Sequence, residues 1–133
     1  MLTAAQLTRL PQTFRKSYDR QFLPLLERTG LSMREIHVLL FLANHPGQDT
    51  ARDVVELRGL AKSQVSQAVE VLTGRGLLAR RADGADRRIV RLAITGAGRP
   101  LAREAQEIQA AFGREDLDRL GKLGRVADAV IDF

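Results

Sequence analysis

The sequence predicts a mainly α-helical chain that carries one small β-hairpin. Apolar residues recur at spacings of three and four through most of its length, the signature of amphipathic helices. Near the middle, a short helical segment, a glycine turn and a second helical segment stand in tandem. Directly after them, the segments LLARRA and RIVRLAI are too short for helices, and Val90, Leu92 and Ile94 alternate with Ile89, Arg91 and Ala93, as in paired strands. At 133 residues the chain has the size of one domain, and its 28% charged and 44% hydrophobic content is ordinary for a folded protein. No apolar run approaches membrane-spanning length, so no membrane partner is expected. Met1, Leu2, Thr3 and Ala4 do not open a secretion signal, and the cytoplasm is the expected compartment.

The elements follow in order. Leu7, Leu10, Phe14, Tyr18, Phe22, Leu25 and Leu26 form one apolar stripe; Pro11 opens or interrupts this first helix, and Pro24 kinks or divides it near its end. After Gly30, Ser32 and Glu35 make a capping box for a second helix over 32–44, apolar nearly all round through Ile36, Val38, Leu39, Leu40, Phe41 and Leu42. Thr50 and Asp53 cap a short third helix with Val54 and Leu57 on its inner face and Gly59 as its stop. The fourth runs over about 62–75, with Val65, Ala68, Val69 and Leu72 on its inner seam and Lys62, Ser63, Gln64, Ser66, Gln67 and Glu70 on the other side. Asp83, Gly84, Ala85 and Asp86 form the hairpin loop. Thr95 caps a fifth helix with the stripe Leu101, Ala105, Ile108 and Phe112, and Leu117, Leu120, Leu123, Val126, Ala127 and Val130 predict a sixth. The stripes of the terminal helices either wrap the compact centre or pair with a second copy.

A short helix, a turn, a second helix and a hairpin make a winged helix-turn-helix, and the charge falls on it. Between Arg58 and Arg91 there are eight basic and three acidic residues, a local excess of +5 equal to the net charge of the whole chain. The remaining 99 residues balance. Such a confined excess suits a polyanion. A polar face on a lone helix is ordinarily just solvated, but here the arginine-rich neighbours favour double-stranded DNA. Lys62, Ser63, Gln64, Ser66 and Gln67 have the length and chemistry to reach base edges and phosphates in a major groove, and a Gln amide can pair with adenine in bidentate fashion. At the wing, Arg87 and Arg88 are candidates for groove or phosphate contact, with Arg80, Arg81 and Arg91 along the flanking backbone and Arg75 as a further DNA-binding candidate. Asp86 is read as a loop carboxylate that pairs with an arginine and fixes the hairpin.

These residues resemble a known family, the multiple-antibiotic-resistance-type (MarR family) transcriptional regulators. LAKSQVSQAVEVLTGRGLLARR is similar to the family's recognition-helix block, and DRRIVRLAITGAG to its wing signature, an acidic-x-Arg followed by L-x-x-T-x-x-G. The resemblance runs strongly from Leu31 to Arg103. It departs at Ala61, where the family often has a hydroxyl or acidic cap, at Ala93 and Ile94 before the threonine, and at the short end after Val130. It implies a homodimer, with residues 1–30 and 96–133 as a helical dimerisation region and 31–95 as the DNA-binding lobe, each lobe facing one half of a near-palindromic operator. Asp86 with Arg88 matches the family's wing pair, leaving Arg87 as the freer tip residue.

The resemblance also implies a repressor that releases DNA when a small, often phenolic or otherwise anionic molecule enters a crevice beside the dimer helices; Arg15, Tyr18, His37 and Phe41 are the residues available for one. Residues of these kinds on apolar stripes are more often core or interface members. With no cysteine, the family's thiol-peroxide sensing mode is excluded, and so are disulfides and covalent Cys catalysis. With His37 and His45 as the only histidines, no metal site is expected, and no cofactor motif is present. A winged-helix module used for protein contacts remains the alternative; it would carry apolar residues where Lys62, Gln64 and Gln67 stand. An enzyme ranks last, because no phosphate loop or nucleophile–base arrangement is evident, and Asp116 and Asp118 read as solvated helix positions.

Overall fold

The structure, a computed structural model, describes residues 12–119 and the side chains of residues 15–113. Its elements run α1 (Gln12–Arg20), α2 (Leu23–Thr29), α3 (Met33–Asn44), α4 (Ala51–Arg58), α5 (Lys62–Gly74), β1 (Leu78–Ala82), β2 (Val90–Ile94) and α6 (Arg99–Arg119). Leu7, Leu10, Pro11 and the sixth-helix residues Leu120, Leu123, Val126, Ala127 and Val130 lie outside the described residues, as do the side chains of Phe14 and Leu117.

The single first helix expected from the stripe is two helices. Turn hydrogen bonds from Gln21 N–H to the Tyr18 carbonyl and from Phe22 N–H to the Asp19 carbonyl break it, and Pro24 sits in the first turn of α2, where its missing N–H costs nothing. The stripe survives the break. Tyr18, Phe22 and Leu25 are all buried, and Tyr18 makes edge contacts with Phe22 (5.1 Å) and with Phe112 of α6 (5.2 Å). These residues therefore find partners within their own chain; of the two alternatives for the stripe, wrapping the centre holds for this part of it.

Helix α3 is the axis of the core, with Ile36, Val38, Leu39, Leu40, Phe41 and Leu42 all buried. It packs against α4, α5, α6 and β2. Its start has the anticipated capping box, in which the Ser32 hydroxyl accepts from Glu35 N–H and the Glu35 carboxylate accepts from Ser32 N–H. Thr50 and Asp53 do the same for α4. Gly59 ends α4 at φ +77°, a left-handed conformation natural to glycine, and so turns the chain into α5. The inner face of α4 differs from the one expected. Val54 is buried, but Leu57 is 47% exposed and Arg58, four residues after Val54, is 7% exposed. Four residues complete a helical turn more nearly than three, so the i+4 position faces inward and the apolar residue does not.

The strands pair antiparallel, Leu78 opposite Ile94 through Ala82 opposite Val90, with Leu78 and Leu92 buried. Beyond them, each residue of the L-x-x-T-x-x-G sequence has a physical role. Leu92 enters the core; the Thr95 hydroxyl donates to the Gly76 carbonyl (2.6 Å) and accepts from Gly98 N–H (3.1 Å). A Cβ on Gly98 would lie 2.3 Å from the Leu77 carbonyl oxygen, a distance no side chain tolerates. A partly buried relay of amides joins three helices: Gln106 donates to Asn44, Asn44 to Gln109, and Gln109 to the Tyr18 hydroxyl. One contiguous apolar cluster runs from Tyr18 to Phe112, so the terminal helices and the winged lobe share a core over the described residues.

Candidate nucleic-acid interface

Helix α5 presents two faces. Val65, Ala68, Val69 and Leu72 are buried, while Lys62, Ser63, Gln64, Ser66, Gln67 and Glu70 are all exposed, as the periodicity requires. Ala61 has no side-chain oxygen to cap the helix, so Gln64 reaches back and its Oε1 accepts from Ala61 N–H (3.1 Å). This answers the departure at Ala61: α5 begins at Lys62 without a hydroxyl or acidic cap. Gln67 is held from outside the helix, its Oε1 accepting from Arg34 Nη1 of α3 (3.2 Å).

The wing stands next to this face. Its loop is organised mainly by Asp83, whose carboxylate accepts from the backbone N–H of Ala85 and Asp86 and from the Arg91 guanidinium. Asp86 takes the part expected of it: it accepts from Arg88 N–H and binds the Arg88 guanidinium through both oxygens, at 3.1 Å each. These bonds hold both carboxyls below their usual range. For Asp83 the backbone donors are the largest cause, and for Asp86 it is Arg88.

Of the expected arginines, Arg87 and Arg88 project from the loop, and Arg87 has no hydrogen-bonding partner among the described residues. Arg81 is exposed on β1. Arg80 pairs with Glu70 (3.0 Å) across the gap between wing and helix, and Arg75 donates to the Thr29 carbonyl (2.6 Å) at the end of α2, where a cation suits the helix dipole. Two arginines of the block turn inward. Arg91 lies directly opposite Arg81 in the strand pair, a like-charge juxtaposition offset by its bonds to Asp49 (2.8 Å) and Asp83 (3.1 Å). It braces the wing against the loop before α4.

Arg58 is the other. Its Nη2 donates to His37 Nδ1 (3.1 Å), so that nitrogen is an acceptor and the imidazole is neutral. Burial, followed by the charge of Arg58, pushes His37 down to about 3. Burial also lowers Arg58 to about 10, opposed by Tyr18 and Asp19, and it raises the Tyr18 hydroxyl. Sequence patterning missed Arg58, Arg34, Asp49 and Asp83 as positioning residues. For Arg58 the i+4 spacing from Val54 was the available signal, and for Asp83 it was the tendency of a loop aspartate to accept from backbone N–H groups two and three positions on; Arg34 and Asp49 act across 33 and 42 positions, which no local pattern reveals.

The four crevice candidates are only partly assembled. Tyr18 and His37 both neighbour Arg58, Arg15 is exposed on α1, and Phe41 is buried and stacked on the His45 ring at 4.3 Å. None of them lines either of two cavities found elsewhere. One, of about 560 Å³, lies between α4, α5 and the wing, with Val55, Val65, Val69 and Leu92 in its wall beside Lys62 and Arg80. The other, of about 350 Å³, lies between the wing and α6, with Arg81, Arg99 and Arg103 among its lining.

The family model described as MarR family matches residues 29–89, which covers α3 through the hairpin loop. CouR from Rhodococcus jostii RHA1, solved bound to p-coumaroyl-CoA, is 30% identical; the match covers 96% of this chain and 89% of CouR at a TM-score of 0.68. A transcriptional regulator of the MarR family from Rhodococcus sp. RHA1 is also 30% identical, with the same coverage and a TM-score of 0.67. The transcriptional regulator BldR from Sulfolobus solfataricus shares the fold at 24% identity and a TM-score of 0.70, over 90% of this chain and 84% of BldR. No curated protein sequence matches the chain.

Proposed function

This chain belongs to the MarR family of transcriptional regulators, and from that premise we propose that it binds double-stranded DNA sequence-specifically as a homodimer and represses transcription from a near-palindromic operator. The observation that carries the reading is the exposed face of α5. Five hydrogen-bonding side chains, Lys62, Ser63, Gln64, Ser66 and Gln67, stand there without an acidic residue among them, beside a wing whose Arg87 is unpaired among the described residues. A surface with this chemistry is suited to a major groove with the wing over the adjacent backbone or minor groove. The protein-contact alternative would need apolar residues on that face. Arg80, Arg81 and Arg88 add charge around it, and Arg75 acts by fastening α2 to the end of α5.

Residues 31–95 form the DNA-binding lobe in this reading, and 1–30 with 96–133 the dimerisation region. CouR binds p-coumaroyl-CoA; for this chain we propose a small anionic effector entering beside Arg15, Tyr18, His37 and Phe41, where Arg58 supplies a cation. Regulation and not catalysis is the proposed role, with the cytoplasm as its compartment; among the described residues no helix is long and apolar enough to cross a membrane.

The test is a selection of bound fragments from the source genome at near-physiological salt, followed by affinity measurements across salt concentrations. A two-fold symmetric site with half-sites about one helical turn apart is expected, with log affinity falling linearly with log salt. Absence of any symmetric site, together with binding that Gln64→Ala and Arg87→Ala leave unchanged, would overturn the proposal.

A further inference from the structure

The smaller of the two cavities, about 350 Å³, has Leu42, Pro46 and Ala102 in its wall and carries three arginines: Arg81 from β1, and Arg99 and Arg103 from the first two turns of α6. All three are exposed, and none makes a hydrogen bond or ion pair with a described residue. The arginines around them differ, since Arg91 is bound to Asp49 and Asp83, and Arg28 to Glu104. Asp49 is the only carboxylate in the lining, and its bond to Arg91 already offsets it. Arg99 and Arg103 stand four apart, so like charges meet on one side of α6. Arg99 also opens the helix, where the dipole disfavours a cation, and no acidic residue stands in that turn. The larger cavity has no such excess among its arginines: Arg52 is bound to Glu56 and Arg80 to Glu70.

We propose that this cavity binds a phosphorylated small molecule, with Arg81, Arg99 and Arg103 around its phosphate and Leu42, Pro46 and Ala102 against the rest of it. A guanidinium presents a planar fork of donors that matches phosphate oxygens in pairs. A phosphate monoester carries about −1.5 to −2 charge at pH 7 on three strong acceptor oxygens, enough to engage cations arriving from two elements. A carboxylate brings one charge and two oxygens, and leaves part of the excess unmet. The recess favours a small molecule over the DNA backbone, because a duplex lying across the wing and α6 would meet the arginine tips and leave the apolar wall uncovered. The site is separate from Arg15, Tyr18, His37 and Phe41, none of which lines it. Its effect on regulation rests on the DNA-binding reading above: Arg81 is one of the cations placed around the DNA-facing surface, and a bound phosphate would offset its charge.

The experiment titrates the full chain with phenyl phosphate, inorganic phosphate and benzoate at constant ionic strength, following backbone amide resonances, and repeats the series on the double variant Arg99→Ala/Arg103→Ala. Phenyl phosphate is expected to move the amides of residues 42–49, 81 and 93–106 and to saturate, with binding at least about tenfold weaker in the double variant. Inorganic phosphate should bind the same place more weakly, and benzoate more weakly still. Amides that stay unmoved, shifts that the double variant keeps, or equal binding by benzoate or by inorganic phosphate would overturn the proposal. On the selected operator, phenyl phosphate should lower the affinity of the wild-type protein and not that of the double variant. If the double variant instead loses DNA affinity, with a salt slope shallower by about two units per protomer, and phenyl phosphate moves no amides, the arginines serve the DNA backbone and the proposal fails. Failure to find any operator would overturn the regulator reading, while the amide titration still decides the site. The wild-type titrations stand even if the double variant folds poorly.

Discussion

Arg58 and Arg87 belong to the same basic block, yet one is 7% exposed among Tyr18, Asp19 and His37 while the other projects from the wing. The interior arginine pays for its desolvation with a hydrogen bond to a neutral imidazole and with nearby acidic and phenolic groups. The wing arginine needs no such company, because water solvates it until a polyanion arrives. Counting charge treats the two as equal; burial makes one a structural tie between α3 and α4 and leaves the other available for recognition. Arg91 sits between these extremes, half-buried and bound to Asp49 and Asp83.

Arg58→Ala should show the largest effect. Removing the guanidinium takes away the bond to His37 and empties its volume, and we expect a loss of about 3 kcal/mol in unfolding free energy by chemical denaturation, with the salt slope of DNA binding unchanged. An equal stability loss in Arg87→Ala would erase the contrast. The pH dependence sharpens it. His37 has its ordinary value near 6.5 when unfolded and about 3 when folded, so between those limits the unfolded chain binds a proton that the native one refuses. Stability should be held above pH 6.5 and fall as pH drops toward 3, by up to about 1.4 kcal/mol per pH unit. His37→Gln, which keeps an acceptor for Arg58 but cannot titrate, should flatten that slope in a pH series of denaturant melts.

On the surface side, Arg87→Ala should weaken DNA binding about tenfold and make the salt slope shallower by about one unit per wing, with the melting temperature unmoved. Asp83→Ala should act through order and not charge. Loss of its bonds to Ala85, Asp86 and Arg91 should speed amide hydrogen exchange across residues 83–89 and lower DNA affinity by a few fold. Unchanged exchange there would return the role of wing organiser to Asp86.

Local signals were legible wherever physics acts over a few residues. The caps at Ser32 and Thr50, the glycine stop at Gly59, the seam of α5 and the hairpin after it all lie in the sequence as spacing and residue type, and the structure has each in place. The division of the first helix was half-legible: Pro24 announced a break, but its place at Gln21 and Phe22 depended on Tyr18, Phe22 and Leu25 all reaching the same core. Long-range pairings left no trace. Arg34 meets Gln67 across 33 positions, and Arg91 meets Asp49 across 42.

The sequence by itself determined the order of elements, the polar face of α5 and the confinement of basic charge to one quarter of the chain, because periodicity, capping and composition are properties of neighbours. Only the tertiary structure decided which arginines that charge could use and that Arg34 holds Gln67 from a neighbouring helix. Those outcomes depend on burial and on donors arriving from other helices, and a side chain's available chemistry is what is left after its own protein has bonded to it.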